Sequence, residues 1–545
     1  MTPHLQSKLS RFSRACAIGL AVSLWLSACS KAPEAPVALA PQALAVSASV
    51  KAPATIDWVM PDGASLDAIF AKAKADNKPV LLYWGAVWCP PCNQIKATVF
   101  NRPDFIEKSR AFVPVYLDGD TPGAQKLAAQ FKTRGYPTTI LFKPDRTELT
   151  RLPGEVDAAQ FMQLLSLGLA STQGIKETLT AALSSTVGTS TLPADAWRLL
   201  AFYPWETDEA QLVPKKELAA TVLKLAQNCP PRFQEASTRL TLKSTALAAQ
   251  EKVPGLDNAR ALEITQTVLA DAIQSRQNFD VLSYYGNDII GIVTAKGSAN
   301  RTALLTHWNT ALDRLASDAT LSKADQLNAV QAKVTLTEID LPAGSKGTRD
   351  PALIATAREA AIKAEKTTID KYERQAVIPS AAHLLSDVGL IDESDAMLQT
   401  ELPKAVSPYY HMLVLASNAK KRGDKAASLD WAEKAYASSV GPATRLQWGS
   451  GYVNKLIELS PQDSARIEKA ALQVISELDA APETFYERNR RSLEKMAKQL
   501  DGWSQQNKQA IVLKKLSAKL DAVCAQLPAQ DMARDACGKV FGTSA

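Results

Sequence analysis

The chain has 545 residues, 46% of them apolar and 22% charged, with a net charge of +6. The balance is that of an ordinary globular protein, and the length excludes a single hydrophobic core, predicting about three to five units. Lys8, Arg11 and Arg14 sit together without an acid among residues 1–28, and the excess left elsewhere is too diffuse for nucleic-acid binding.

Those three basic residues precede a short apolar stretch, Ala15 to Leu26, too short to span a bilayer comfortably. Residues 1–28 are therefore predicted to be a signal peptide. Leu26-Ser27-Ala28-Cys29 resembles a bacterial lipobox. The resemblance implies cleavage before Cys29 and lipidation of Cys29; a plain secretory signal with an incidental cysteine is the alternative. Ser30 at the following position implies, by resemblance to sorting rules, the outer membrane. The expected location is the bacterial periplasm, with the membrane reached through the lipid anchor only. Residues 29–56, rich in Ala and Pro, read as a tether.

From residue 57 to 172 strand and helix signals alternate, which predicts an α/β domain. Leu66 to Ala75 has helical spacing, and Pro79 to Trp84 is a buried-strand run. A helix is expected from Pro90, because proline suits a first helical turn. Phe112 to Leu117 reads as a strand, Gly123 to Phe131 as a helix, and Thr138 to Phe142 and Glu148 to Leu152 as two further strands. Asp157 is placed to cap a closing helix that runs to Leu169.

Beyond Thr172 the strand signal disappears, and residues 173–379 read as α-helical without a repeat. Leu218, Val222 and Leu225 share one helical face, as do Leu262, Val268, Leu269 and Ile273. Ser322-Lys323-Ala324-Asp325 resembles a capping box. In residues 380–545 a period emerges: Gly389 and Gly423, Pro408 and Pro442, and Ser394 and Ser428 are each 34 apart. The segment Gly423 to Tyr436 resembles the second half of a tetratricopeptide repeat, whose period is about 34 residues. Two units are legible, and a third after Pro461 needs an insertion. Trp431 fits a core position of such a repeat. His307, His383 and His411 lack metal-ligand spacing and are expected in or beside helix packing. The runs Lys215-Lys216 and Lys420-Lys421-Arg422 are expected to be solvated.

Seven cysteines are present, and Cys16 and Cys29 fall to the signal and the lipid. Trp88-Cys89-Pro90-Pro91-Cys92 follows a strand and opens a helix, where the partial positive charge of the helix N-terminus stabilises a thiolate. Cys89 is expected to sit exposed at the helix start, with Cys92 one turn on and able to reach back. Cys89 would attack a disulfide, and Cys92 would resolve the mixed disulfide. Half of a zinc site is disfavoured because residues 57–172 hold no histidine and no second Cys-x-x-Cys. A purely structural bridge is disfavoured because so short a loop closes little chain entropy. No metal and no cofactor are called for. Cys524 and Cys537 are expected to form a structural disulfide, with two buried thiols as the alternative, and Cys229 to be a buried small hydrophobe or a second redox partner.

Leu81 to Gly154 resembles the thioredoxin superfamily, and within it most nearly the C-terminal thioredoxin domain of DsbD-type disulfide-interchange proteins. The residues that carry the resemblance are Lys78-Pro79-Val80, the Cys-x-x-Cys, Thr98-Val99-Phe100 with Pro103, Tyr136-Pro137-Thr138 and Gly154. It implies a cis-proline loop at Tyr136-Pro137-Thr138 that faces the cysteines and pairs with substrate backbone. With Trp88, Pro90 and Pro91 this loop makes the implied substrate-binding surface. The implied activity is thiol–disulfide exchange on protein thiols and disulfides with an envelope redox partner, the reducing or exchanging direction being favoured. The helical repeats would recruit a partner or substrate; a non-catalytic scaffold with a docking thioredoxin domain is the alternative. Tyr83 stands where the family often has a buried acid, and is expected to be a core aromatic. Lys96 replaces a nearby acid and is expected to be solvated.

Overall fold

The computed structural model describes residues 55–542 except 62–65, 122, 134, 155–156, 187–189, 208–211, 252, 343–344, 346, 348 and 479–481. The signal peptide, Cys29 and nearly all of the tether thus lie outside the described residues. Strands β1 (Val80–Gly85), β2 (Val113–Asp118), β3 (Thr138–Phe142) and β4 (Glu148–Leu152) form one sheet in the order β2-β1-β3-β4. β1 runs parallel to β2 and antiparallel to β3, and β4 is antiparallel to β3. All six residues of β1 are buried, which is why the run is apolar throughout instead of alternating. Val80, Leu82 and Trp84 pack with α1 (Leu66–Ala75) and α4 (Ala124–Gln130), while Leu81 and Tyr83 face the other layer. That layer holds α2 (Pro90–Ile95), α3 (Pro103–Lys108) and α5 (Ala158–Ala170). Asp157 caps α5, accepting from Ala159 N at 2.9 Å and Gln160 N at 3.2 Å.

After this α/β domain the described chain is all helical. Helices α6 to α16 occupy the stretch from Ile175 to Thr367, and α15 (Lys323–Leu336) is capped by Ser322, whose Oγ accepts from Asp325 N. The expected face through Ile273 is interrupted. α10 (Asn258–Ala270) stops, Asp271 caps a new helix, and Ile273 is left exposed while Val268 and Leu269 are buried.

The 34-residue period is a structural one. α17 (Lys371–Asp387) and α18 (Ile391–Glu401) form one hairpin, and α19 (Pro408–Lys421) and α20 (Lys425–Ser438) form the next. In each, the glycine after the first helix takes a positive φ, +92° at Gly389 and +81° at Gly423. The next residue, Leu390 or Asp424, donates back to Leu385 O or Ala419 O. In each, the buried serine of the second helix donates to a carbonyl of the first: Ser394 to Ala382 O at 2.8 Å, Ser428 to Ala416 O at 2.7 Å. α21 (Pro442–Leu459) runs 18 residues against 14 in α19, so the third hairpin, closed by α22 (Ser464–Ser476), is out of register. Trp431 is half-buried and packs against two core clusters. Of the histidines, His411 is fully buried, whereas His307 and His383 are exposed on their helices.

Lys215 and Lys216 are exposed, but Lys420, Lys421 and Arg422 reach Glu458, Asp387, Asp392 and Asp395. The 34-residue stacking brings acids of neighbouring hairpins opposite these cations, a pairing that a linear reading does not display. The chain ends in α23 (Glu487–Asn507), α24 (Ala510–Cys524) and α25 (Met532–Gly538), the last two joined by a Cys524–Cys537 bridge with Cα atoms 5.6 Å apart. Replacing both cysteines by alanine is expected to lower stability by up to about 3 kcal/mol, the entropy of a short closed loop, measured by urea unfolding. Unchanged unfolding would mean that helix packing alone holds this end. Cys229 is buried and unpaired, and burial pushes its thiol up to about 12. Among the described residues no helix is long and apolar enough to cross a membrane.

Candidate functional site

β1 delivers the chain to Ala86-Val87-Trp88, and Cys89 then caps α2 with an extended backbone (φ −69°, ψ 116°). Its Sγ accepts from Cys92 N at 3.2 Å, so the first cysteine uses one of the orphan N–H groups of its own helix. Pro90 fills the first helical position, where a missing N–H costs nothing. Cys89 and Cys92 are disulfide-bonded with Cα atoms 5.2 Å apart. The fully buried Asn93 ties the loop down, its Nδ2 donating to Val87 O at 2.7 Å and Cys89 O at 3.0 Å. Asn93 was not singled out by the motif, although it directly follows the second cysteine. The helix continues as a wider π-turn over Lys96–Phe100.

The Tyr136–Pro137 peptide is cis. Gly154 lets the loop approach α2: a Cβ there would stand 3.1 Å from Pro137 Cγ and 3.9 Å from Ile95 Cδ1. Tyr136 stacks on Trp84 (5.2 Å between centroids), meets Trp88 edge-on (5.7 Å) and accepts from Gln125 Nε2 at 3.1 Å. Thr138 Oγ1 donates to Gly135 O at 2.9 Å.

Behind the pair, Tyr83 is 1% exposed, stacked with Tyr116 and edge-on to Phe100, and its hydroxyl donates to Cys92 O at 3.4 Å. Burial, with the charge of Asp118 adding to it, pushes its pKa far up, so it holds its proton and is no base. Lys96 is only partly solvated. Half-buried, its ammonium lies 5.2 Å from the centre of the Tyr116 ring, and burial lowers its pKa.

The largest departure from expectation concerns access. Cys89 is 2% exposed and Cys92 0%. The helix start is covered by the helical region, whose residues converge on Trp88. Gln375 of α17 donates through Nε2 to Trp88 O and Ser407 O at 3.4 Å each, and its Oε1 accepts from Ser407 N. Tyr410 stacks on the Trp88 ring at 6.2 Å, Trp448 meets it edge-on at 4.8 Å, and the Arg488 guanidinium stands 5.3 Å from it and 5.0 Å from Tyr136. Asp120, beyond β2, accepts from Thr444 N at 2.7 Å and from the Thr444 hydroxyl, with the Trp88 indole also within reach. Burial pushes the Asp120 carboxyl up to about 6 despite these three donors. On the flank of α2, Gln94 Nε2 donates to Ser322 Oγ and Asp325 Oδ1 at 2.9 Å each. Val87 and Pro91 remain exposed.

None of the covering residues was identified from the motif. The one signal available was density: Tyr409, Tyr410 and Trp448 cluster in helices of a chain only 6% aromatic. Among the described residues no group of His, Cys, Asp and Glu is arranged to hold a metal.

A family model described as a thioredoxin-like domain matches residues 66–168. The thiol:disulfide interchange protein DsbD of Pseudomonas fluorescens is 33% identical over 104 residues, 18% of this chain and 18% of that protein. The DsbD 2 protein of Pseudomonas aeruginosa is 34% identical over 103 residues, again 18% of each. A thioredoxin-like protein of Synechocystis is 30% identical over 101 residues, 18% of this chain but 91% of that protein. The chain therefore spans under a fifth of the length of the DsbD proteins it matches, and the family model ends at residue 168, before the helical region.

Proposed function

We propose, from the premise that the chain belongs to the thioredoxin-like family, that Cys89 and Cys92 exchange disulfides with protein thiols. The observation that carries this reading is the Cys89–Cys92 pair at the start of a helix, beside a cis Tyr136–Pro137 peptide. In the reduced form, the Cys89 thiolate attacks one sulfur of a substrate disulfide and expels the other as a thiolate. The Cys92 thiolate then attacks Cys89 Sγ, expels the second substrate thiolate and closes the Cys89–Cys92 bridge. Two electrons pass to the substrate, and an external dithiol restores the pair. Trp88, Pro90, Pro91, Tyr136, Pro137 and Thr138 form the surface that a substrate chain would meet.

The reducing or exchanging direction is favoured, because strong oxidants tend to carry a histidine between the cysteines and here Pro90-Pro91 stand there. The chain is placed in the periplasm, lipid-anchored at Cys29 to the outer membrane, with an envelope redox partner. Its proposed units are a signal peptide (1–28), a tether (29–56), the thioredoxin-like domain (57–172), a helical region (173–379) and TPR-like helices (380–545) that recruit a partner or substrate. Cys524–Cys537 serves structure.

The burial of Cys89 favours a second reading, a scaffold whose thioredoxin domain docks on its own helices. The test is the potential of the Cys89–Cys92 pair in defined glutathione and dithiothreitol buffers. A value near about −270 mV supports a reductase, and one near about −120 mV a disulfide donor. A pair that cannot be cycled at all leaves the scaffold.

A further inference from the structure

Four helices of one chain meet on the residue that precedes the redox pair. Trp88 is 6% exposed because α17, α19, α21 and α23 supply Gln375, Tyr410, Trp448 and Arg488 around it. The side-chain amide of Gln375 donates to Trp88 O, a carbonyl next to Cys89 that would otherwise be free for an incoming chain. The Arg488 guanidinium covers the Tyr136 ring of the cis-proline loop as well. A disulfide exchange needs an attacking sulfur in line with the bond it breaks, and 2% exposure at Cys89 leaves no room for a second chain to bring one.

We propose that the helical region is a lid on the redox pair, latched by Thr444 on Asp120 and by Gln375 on Trp88 O, and that every exchange waits for this lid to open. The inference rests on the oxidoreductase reading above. The latch is made of few bonds: Thr444 gives one backbone and one hydroxyl donor to one carboxylate, and Gln375 gives one amide. On the flank Gln94 adds two bonds, to Ser322 and Asp325, and Lys126 pairs with Asp531 at 3.0 Å, whereas around the Trp88 ring itself the contact is ring against ring and cation against ring, which separates without leaving a hydrogen-bonding group unpaired. The lid thus occupies the surface that a protein substrate uses, and a partner must displace it.

The latch also carries a sign with pH. Closed, Asp120 is held up at about 6 by burial; opened to water, a carboxyl returns to about 3.9. The closed state is therefore favoured in acid, and that advantage is lost as pH rises through about 6. The groups facing Asp120 are Asp118 and Tyr116 on β2, Tyr136 on the cis-proline loop, Tyr409 on α19 and Arg488 on α23. Burial pushes the three phenols up, away from this range.

The experiment reads the rate at which a trialkylphosphine reduces Cys89–Cys92 in the full chain, divided by its rate on a free model disulfide in the same buffer. Trp448→Ala and Gln375→Ala, with circular dichroism confirming the fold, are expected to raise the rate about tenfold or more. In the wild type the ratio is expected to rise about tenfold between pH 4.5 and 7, and Asp120→Asn to flatten that rise. Wild type and both folded variants reducing equally fast, with no pH dependence, would overturn the lid and leave the oxidoreductase reading intact. If the variants do not fold, the wild-type pH profile decides alone, a flat ratio overturning the lid. A pair inert to phosphine in denaturant as well as in the native chain would overturn both.

Discussion

Replacing Cys92 by serine is expected to abolish turnover and to leave Cys89 covalently joined to its substrate. Cys92 is the only sulfur bonded to Cys89 and sits one helical turn away, its N–H already donating to Cys89 Sγ. An intramolecular nucleophile so placed has an effective concentration on the order of 10⁵ M, far above any external thiol. Turnover should fall by about a thousandfold or more, and a non-reducing gel should show a mixed disulfide that dithiothreitol dissolves. Cys89→Ser should lose turnover equally but trap nothing. Trapping by Cys89→Ser and not by Cys92→Ser would reverse the two roles.

Removing the Asp280 carboxylate should destabilise the helical region more than any other single polar change. Arg239 and Lys243, both nearly fully buried, converge on it. Arg239 binds it bidentately at 2.8 and 2.7 Å, and Lys243 stands 3.6 Å away, paired also with Glu206 at 2.9 Å. Arg239 further donates to Ala201 O and lies 4.0 Å from the Phe202 ring centre. Burial works to raise the Asp280 pKa, but the charges of Arg239 and Lys243 outweigh it and hold it down at about 2. Asp280→Asn leaves two buried cations short of a counter-charge, and the expected loss is about 3–5 kcal/mol in urea unfolding. Because the folded value is depressed, the carboxylate's contribution is fully present above about 4 and drains away as pH falls towards about 2. A loss under about 1 kcal/mol would show that Glu206 and water suffice as partners.

The α/β domain was legible because its signals are local. Val80 to Gly85 is apolar throughout because both faces of the central strand are covered, and Asp157 caps α5 with its own side chain. The same holds for the hairpins, where Gly389 and Gly423 announce left-handed turns. Ile273 was misplaced because Asp271 restarts the helix, its side chain accepting from Gln274 N, and a helical period does not carry across a new cap. The exposure of Cys89 was misjudged for a different reason. The motif reports what the helix start does with its own backbone, whereas Gln375, which covers Trp88, is 287 residues away in the chain. Lys96 was likewise assigned to water from helical geometry alone, whereas the Tyr116 ring on β2 receives it.

One position couples the two halves of the chain in a way that can be searched for in sequences alone. Gly441, which caps α21, has φ +90°, and a Cβ there would stand 2.7 Å from both Cβ and Cγ of Asp120. Two independent constraints thus fall on one residue: the backbone conformation disfavours an L side chain, and the neighbouring aspartate leaves no volume for one. With ψ at 142° the backbone lies outside the left-handed helical region that asparagine can adopt, so the turn asks for glycine and the contact with Asp120 asks for it again. Among homologous chains, glycine here together with aspartate at position 120 therefore serves as a two-letter signature of the shut arrangement. Chains that have lost both letters would be those in which the thioredoxin-like domain stands uncovered.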